Sequence, residues 1–249
     1  MGTRRLERHP RRVRWFHAAA YLATLPVLFT GWWLLAGEEG DPSPLARALG
    51  VADIRVHVWF GRALAVLALA AIVVGRRGIA TFLRETFRRD RGDGRWWLLW
   101  PAAVFTGRFA RHEGHFDPGQ RLANFAMVGG LGMLVVTGLA LTLLHGGPTF
   151  AWLAKIHRWT TYVVTAFVLG HVLVGLGVLP GYRGVWRAMH LRGRVPEETA
   201  RRVWPGWTER ALGESGPVPA ACVDPAAGRA TDGTGATLPA EPERRGARC

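Results

Sequence analysis

The sequence predicts an all-α membrane protein: a bundle of four membrane-crossing helices with both termini in the cytoplasm. Three observations predict it. Four apolar stretches, 15–36, 56–75, 122–144 and 152–178, reach the roughly 20 residues a helix needs to cross hydrocarbon. Their interiors contain no Asp or Glu, and Lys155 is their one lysine. The segments between them alternate between arginine-rich and arginine-poor, as crossings that start and finish on the positive, cytoplasmic side require. Bulk numbers hide this pattern. Residues are 49% hydrophobic and mean hydropathy is +0.09, because nearly charge-free runs average with arginine-dense ones.

The elements follow in order. Residues 1–14 form a basic cytoplasmic flank with Arg4, Arg5, Arg8, Arg11, Arg12 and Arg14. The apolar run behind it is longer than a signal-peptide core and is followed by acidic "GEEGD" instead of a cleavage site, so it reads as a retained first helix. The connection "GEEGDPSPLARALGVADIR" is acidic on balance and lies outside. The second helix returns to a cytoplasmic loop, 76–121, dense in arginine. Within it "RWWLLWPAAVFTGRF" (95–109) is too short to span and suits the membrane interface. The third and fourth helices are joined outside by "HGGPTFAWLAK". The segment 179–210 is basic again, and the whole of 15–210 reads as one transmembrane domain. From 211 to 249 Gly, Pro, Ala and Thr dominate, a composition that buries too little to fold. Cys222 and Cys249 both lie there, with no CxxC, so neither a disulfide framework nor a zinc or iron–sulfur site is expected. The net charge of +14 is accounted for by orientation and anionic lipid heads, with no need of nucleic acid.

Orientation turns position into depth. His17 opens the first helix from inside, and His57 opens the second from outside. His157 lies toward the outer side of the fourth helix. His171 is 14 residues further on, about 21 Å deeper and within roughly 40° of the same face. Two levels result: His57 with His157 outside, His17 with His171 inside. An intramembrane histidine can bond another helix or face a water cavity. Two facing imidazoles at each of two levels instead match the axial ligands of two b-type haems, with no open position, as electron transfer requires. Gly31, 14 residues after His17, leaves room at the outer level. Arg14, Arg55 and Arg158 are placed to meet either haem propionates or lipid heads. His9 and His190 fall in solvated flanks, and His145 falls at the interface.

"RWFH", "RVHVWFGR" and "KIHRWTTYVVTAFVLGH" resemble the cytochrome b gamma subunit of membrane-bound formate dehydrogenase, over about residues 10–207. "HFDPGQRLANF" resembles that family's "YNAGQK" motif, and "AMHLRGRVPEETARRVWPGW" its cytoplasmic segment after the fourth helix. The resemblance implies two haem b, an inner one on His17 and His171 and an outer one on His57 and His157. It implies electrons arriving from an iron–sulfur subunit of a molybdenum or tungsten enzyme and leaving to quinone, menaquinone by analogy. The chain would then be a quinone-reducing anchor in the cell membrane, and formate oxidation would happen elsewhere. The quinone site would lie by His171 at Asp117, Gly119 and Gln120. Asp117 replaces the motif's asparagine and Pro118 its alanine, and "DPGQ" also reads as a helix start. His112 and His115 flank that loop as alternative proton carriers. The four-histidine pattern is shared with the cytochromes b of hydrogenases and thiosulfate reductases. A haem-free anchor or transporter is the reading from a different class.

Overall fold

Apolar segments in a bilayer have no water to bond their backbone, so they fold as helices that satisfy it internally. The computed structural model describes residues 4–37 and 41–214. In chain order these form β1 (Arg5–Glu7), α1 (Arg11–Ala36), α2 (Pro44–Leu49), α3 (Asp53–Val74), α4 (Arg76–Thr86), α5 (Asp93–Thr106), α6 (Pro118–Leu143) and α7 (Gly147–Gly175). A 3-10 turn (Pro180–Tyr182), α8 (Trp186–His190), β2 (Arg194–Pro196), α9 (Glu197–Val203) and α10 (Pro205–Glu214) complete them. Residues 1–211 make up one compact unit. A second unit begins at Leu212 and is described only through the end of α10, which carries helix past residue 211; the rest of the expected disordered tail lies outside the described residues.

α1, α3 and α6 are each long and apolar enough to cross a membrane, and α7 provides a fourth crossing if taken with the segment Pro180–His190, across a 61° bend. All four expected spans are therefore helical. Each starts three to five residues earlier than its apolar stretch, because residues that open helices, polar in α1, α3 and α6 and Gly-Pro in α7, supply the first turn. α6 shows how. The Asp117 side chain accepts the Gln120 N–H at 2.8 Å and Pro118 takes the first helical position, where a missing N–H costs nothing.

α1 packs on α3 and α6 on α7, while α3 meets α6 and α1 meets α7, so the four long helices close into a ring. Its shared core is small: Leu28, Leu134 and Val164, with Leu131 and Val168 against them. Many of the other large apolar side chains of these helices, such as Val66, Val74 and Leu143, are exposed, as on a surface solvated by lipid.

A better-buried core lies in a cap at one end of the bundle. β1 and β2 pair antiparallel, with buried Leu6 opposite buried Val195. This ribbon ties the chain before α1 to the chain after α7, so both lie at the same end, as an even number of crossings requires. The all-α expectation missed it, because two three-residue strands carry no periodic signal. Trp96 of α5, His112, Tyr182, Trp204 and Thr208 are buried around it. Arg8 lies 4.6 Å and 4.5 Å over the rings of Trp204 and Trp207, and its guanidinium donates to His115 Nδ1 at 3.1 Å and to the His115 carbonyl at 2.5 Å.

Candidate functional site

The ring of helices positions the four intramembrane histidines in two couples. His57, in the second turn of α3, faces His157 in the middle of α7, with ring centroids 6.3 Å apart. His17, in the second turn of α1, faces His171 near the end of α7, with centroids 6.0 Å apart. All four rings are half-buried. A metal–imidazole nitrogen bond is about 2 Å long, so two imidazoles on opposite sides of one metal have centroids roughly 6 Å apart. Both couples have that spacing. Among the described residues no three His, Cys, Asp or Glu side chains converge on one point, so each couple could supply two ligands and no more. That donor set fits a metal whose remaining ligands arrive with it in a ring, as in haem.

The couple at His57 and His157 has a symmetrical surround. Thr30 of α1 places Oγ1 3.0 Å from His57 Nδ1, and Thr137 of α6 places Oγ1 2.8 Å from His157 Nδ1. Each threonine precedes a glycine. A Cβ on Gly31 would lie 3.2 Å from His57 Cε1, and one on Gly138 would lie 3.3 Å from His157 Cε1. The space that the sequence assigned to Gly31 is therefore space for the histidine ring itself. Thr30, Thr137 and Gly138 were not anticipated. The only signal for them is the repeated Thr-Gly step in "FTGWW" and "VTGLA".

The surround at His17 and His171 differs. Tyr21 and His190 bring their rings within 5.8 Å and 6.1 Å of His17, but neither histidine of this couple makes a side-chain hydrogen bond among the described residues, and His17 Nδ1 is buried without a partner. The bend after α7 carries α8 back to the bundle and brings exposed His190 against the couple, instead of leaving it free in a flank. His9 is likewise half-buried beside the ribbon, whereas His145 is exposed just past α6.

Asp117, Gly119 and Gln120 stand together at the start of α6, but no hydrogen bond or ring contact among the described residues joins them to His171. Asp117 is buried as the N-cap. Burial pushes its carboxyl up, opposed by the Gln120 N–H, His112, Arg8 and Arg121. Gly119 lies against Trp96, and a Cβ there would meet the indole at 2.7 Å. Buried polar atoms without partners gather in this part of the cap and at its edge: His112 Nδ1, Trp96 Nε1 and Asn124 Nδ2. His112 is fixed by its Nε2–H, which donates to the Val203 carbonyl at 3.0 Å. Arg14 has a buried, unpartnered Nε, while Arg158 is exposed. Arg55 lines an open groove of about 460 Å³ with Arg62, Trp59 and Thr142.

Residues 8–191 match the family model described as prokaryotic cytochrome b561. A search of curated proteins found no match.

Proposed function

Because the chain belongs to the prokaryotic cytochrome b561 family, and is on that ground a membrane protein that binds haem b and moves electrons, we propose that it is the di-haem subunit of a formate dehydrogenase-type complex. In this reading it takes electrons from an iron–sulfur subunit and delivers them to quinone. The observation that carries it is the pair of imidazole couples, 6.3 Å and 6.0 Å apart, on a bundle of membrane-crossing helices. Two levels about 21 Å apart along α7 make a path across most of a bilayer.

Haem bound there supplies reversible one-electron transfer without an open coordination position. The protein's part is to hold and shield it. His57 and His157 would hold the outer haem, and His17 and His171 the inner one. The outward apolar surface of α1, α3, α6 and α7 keeps the path in lipid. Arg55 and Arg62, which line the open groove on the same helix as His57, would meet haem propionates. The arginine-rich cap would face the cytoplasm of a cell membrane, with its positive charge against anionic lipid heads.

Quinone reduction consumes two electrons and two protons. We place it at the inner couple, where Asp117 would pass protons from the cap and Gln120 and Gly119 would border the quinone, menaquinone by the same resemblance. The raised carboxyl of Asp117 and the unpartnered polar atoms nearby support this placement. The molybdenum or tungsten subunit that oxidises formate would be a separate chain, reached through the iron–sulfur partner.

A reduced-minus-oxidised spectrum of the purified protein tests the core of this reading. A b-type alpha band at about two haems per chain is expected, and its absence favours a haem-free anchor. Metal analysis of the co-purified complex tests the rest. Molybdenum or tungsten is expected, and nickel would transfer the chain to a hydrogenase.

A further inference from the structure

The two histidine couples differ in one respect that bears on the direction of electron flow. Thr30 Oγ1 lies 2.8 Å from the Pro26 carbonyl and 3.1 Å from the Val27 carbonyl, besides its 3.0 Å contact with His57 Nδ1. Thr137 Oγ1 lies 2.7 Å from the Met133 carbonyl and 3.4 Å from the Leu134 carbonyl, besides 2.8 Å to His157 Nδ1. A hydroxyl has one proton, and a carbonyl can only accept. With the proton of each threonine on its own helix, its oxygen is free to accept from the imidazole. This requires Nδ1–H on both histidines and leaves both Nε2 lone pairs free for a metal. The adjoining Gly31 and Gly138 seat the same two rings. At the other couple nothing comparable exists: His17 Nδ1 is buried without a partner, and His171 bonds nothing among the described residues.

We propose that Thr30 and Thr137 are positioning residues that fix the tautomer and raise the donor strength of His57 and His157, and so hold the reduction potential of the outer haem below that of the inner one. The inference rests on the di-haem reading above. An acceptor on the far nitrogen of a ligating imidazole makes it a stronger electron donor. A stronger donor stabilises the oxidised metal more than the reduced metal and lowers the potential. Both histidines of the outer couple have such an acceptor and, among the described residues, neither of the inner couple does, so the two contributions add on one side only. With that ordering, His57 and His157 would hold the group that gives up an electron more readily and His17 and His171 the group that keeps it, so one-electron transfer from the outer to the inner level would be downhill. The helices would thereby encode a direction as well as a path.

The test is a potentiometric titration of the b-type absorption in the full-length protein, comparing wild type with T30V, T137V, T30S and T137S. Valine keeps the branched shape and removes the acceptor, and serine keeps the acceptor. Two components are expected in wild type. Each valine variant should raise the lower-potential component and leave the higher one in place, T30V/T137V should raise it further, and each serine variant should titrate like wild type. If a valine variant loses a haem, the component that survives should be the higher one. Unmoved components, a shift of both together, a shift confined to the higher one, or serine variants that behave like valine would overturn the proposal. A wild-type protein with no b-type band would instead remove the di-haem reading itself, whatever the threonine variants do.

Discussion

A histidine in hydrocarbon is costly unless something claims both of its ring nitrogens. At His57 and His157 threonine contacts Nδ1, which under the proposed function would leave Nε2 of each ring for the metal. At the inner couple the choice is less obvious, since the His17 ring lies 6.0 Å from His171 and 6.1 Å from His190. His171 sits on the long helix α7 and His190 on a five-residue helix, which favours His171 as the proposed ligand. H171A should lower the haem-to-protein ratio from two toward one and abolish quinone reduction, H157A should remove the other component, and H190A should leave both in the difference spectrum. Two haems in H171A, or one in H190A, would reverse the assignment. That His57 faces His157 and His17 faces His171 was legible in the sequence, because depth and facing follow from charge, spacing and helix pitch. Thr30 and Thr137 were not, because a threonine in an apolar helix ordinarily bonds the preceding turn. Both do so, and the second contact crosses to another helix, which no single-helix pattern reveals.

Among the elements, the start of α6 carries two demands at once. Its first turn needs a cap, and the cap is a carboxylate buried among Arg8, His112 and Arg121. Asparagine caps as well as aspartate, while alanine loses about 1 kcal/mol. D117N should therefore melt like wild type, and D117A should be less stable by about that amount, followed by tryptophan fluorescence on heating. If Asp117 also passes protons, D117N should slow quinone reduction without loss of stability. Equal melting of D117A and wild type would show that the cap is not needed, and full turnover in D117N would show that the carboxyl is not. "DPGQ" announced this helix start, since its residue types have fixed roles there. The spans, too, were legible, as lipid leaves them no alternative to helix. The β1–β2 ribbon was not, because its energy comes from burying Leu6 and Val195 between segments at opposite ends of the chain. Nor was the packing of Gly119 on Trp96, which depends on how α5 meets α6.

At the scale of the whole molecule, the bundle and its cap are stabilised by different means. The bundle has little buried core of its own and relies on lipid, whereas the cap is a small water-facing core tied through Arg8. The ribbon fixes the cap at one end of the bundle, and the arginine density of that end is the ground on which we propose that it lies inside. A cysteine placed at His145 should then react with an impermeant thiol reagent in intact cells, and one at Arg91 only after lysis, once Cys222 and Cys249 are replaced; the reverse pattern would invert the topology. The cap also has a built-in response to acid. His115 Nδ1 receives a hydrogen bond from Arg8, which has only donors, so His115 must be neutral there. Burial first, and then Arg8, His9 and Arg210, push its pKa down to about 3, against about 6.5 when unfolded. Between those values the unfolded chain binds the extra proton and the folded one does not. The His115 contribution is therefore fully present above about pH 6.5 and is lost progressively as pH falls toward 3. Amide exchange in the cap, around 107–117 and 194–208, should speed up between pH 7.5 and pH 5 relative to the intrinsic rate, while the spans remain protected. H115Q keeps an acceptor for Arg8 but cannot titrate, so its cap should show a shallower dependence on pH. Equal slopes in H115Q and wild type would mean that the clamp between Arg8 and His115 does not govern the opening of the cap.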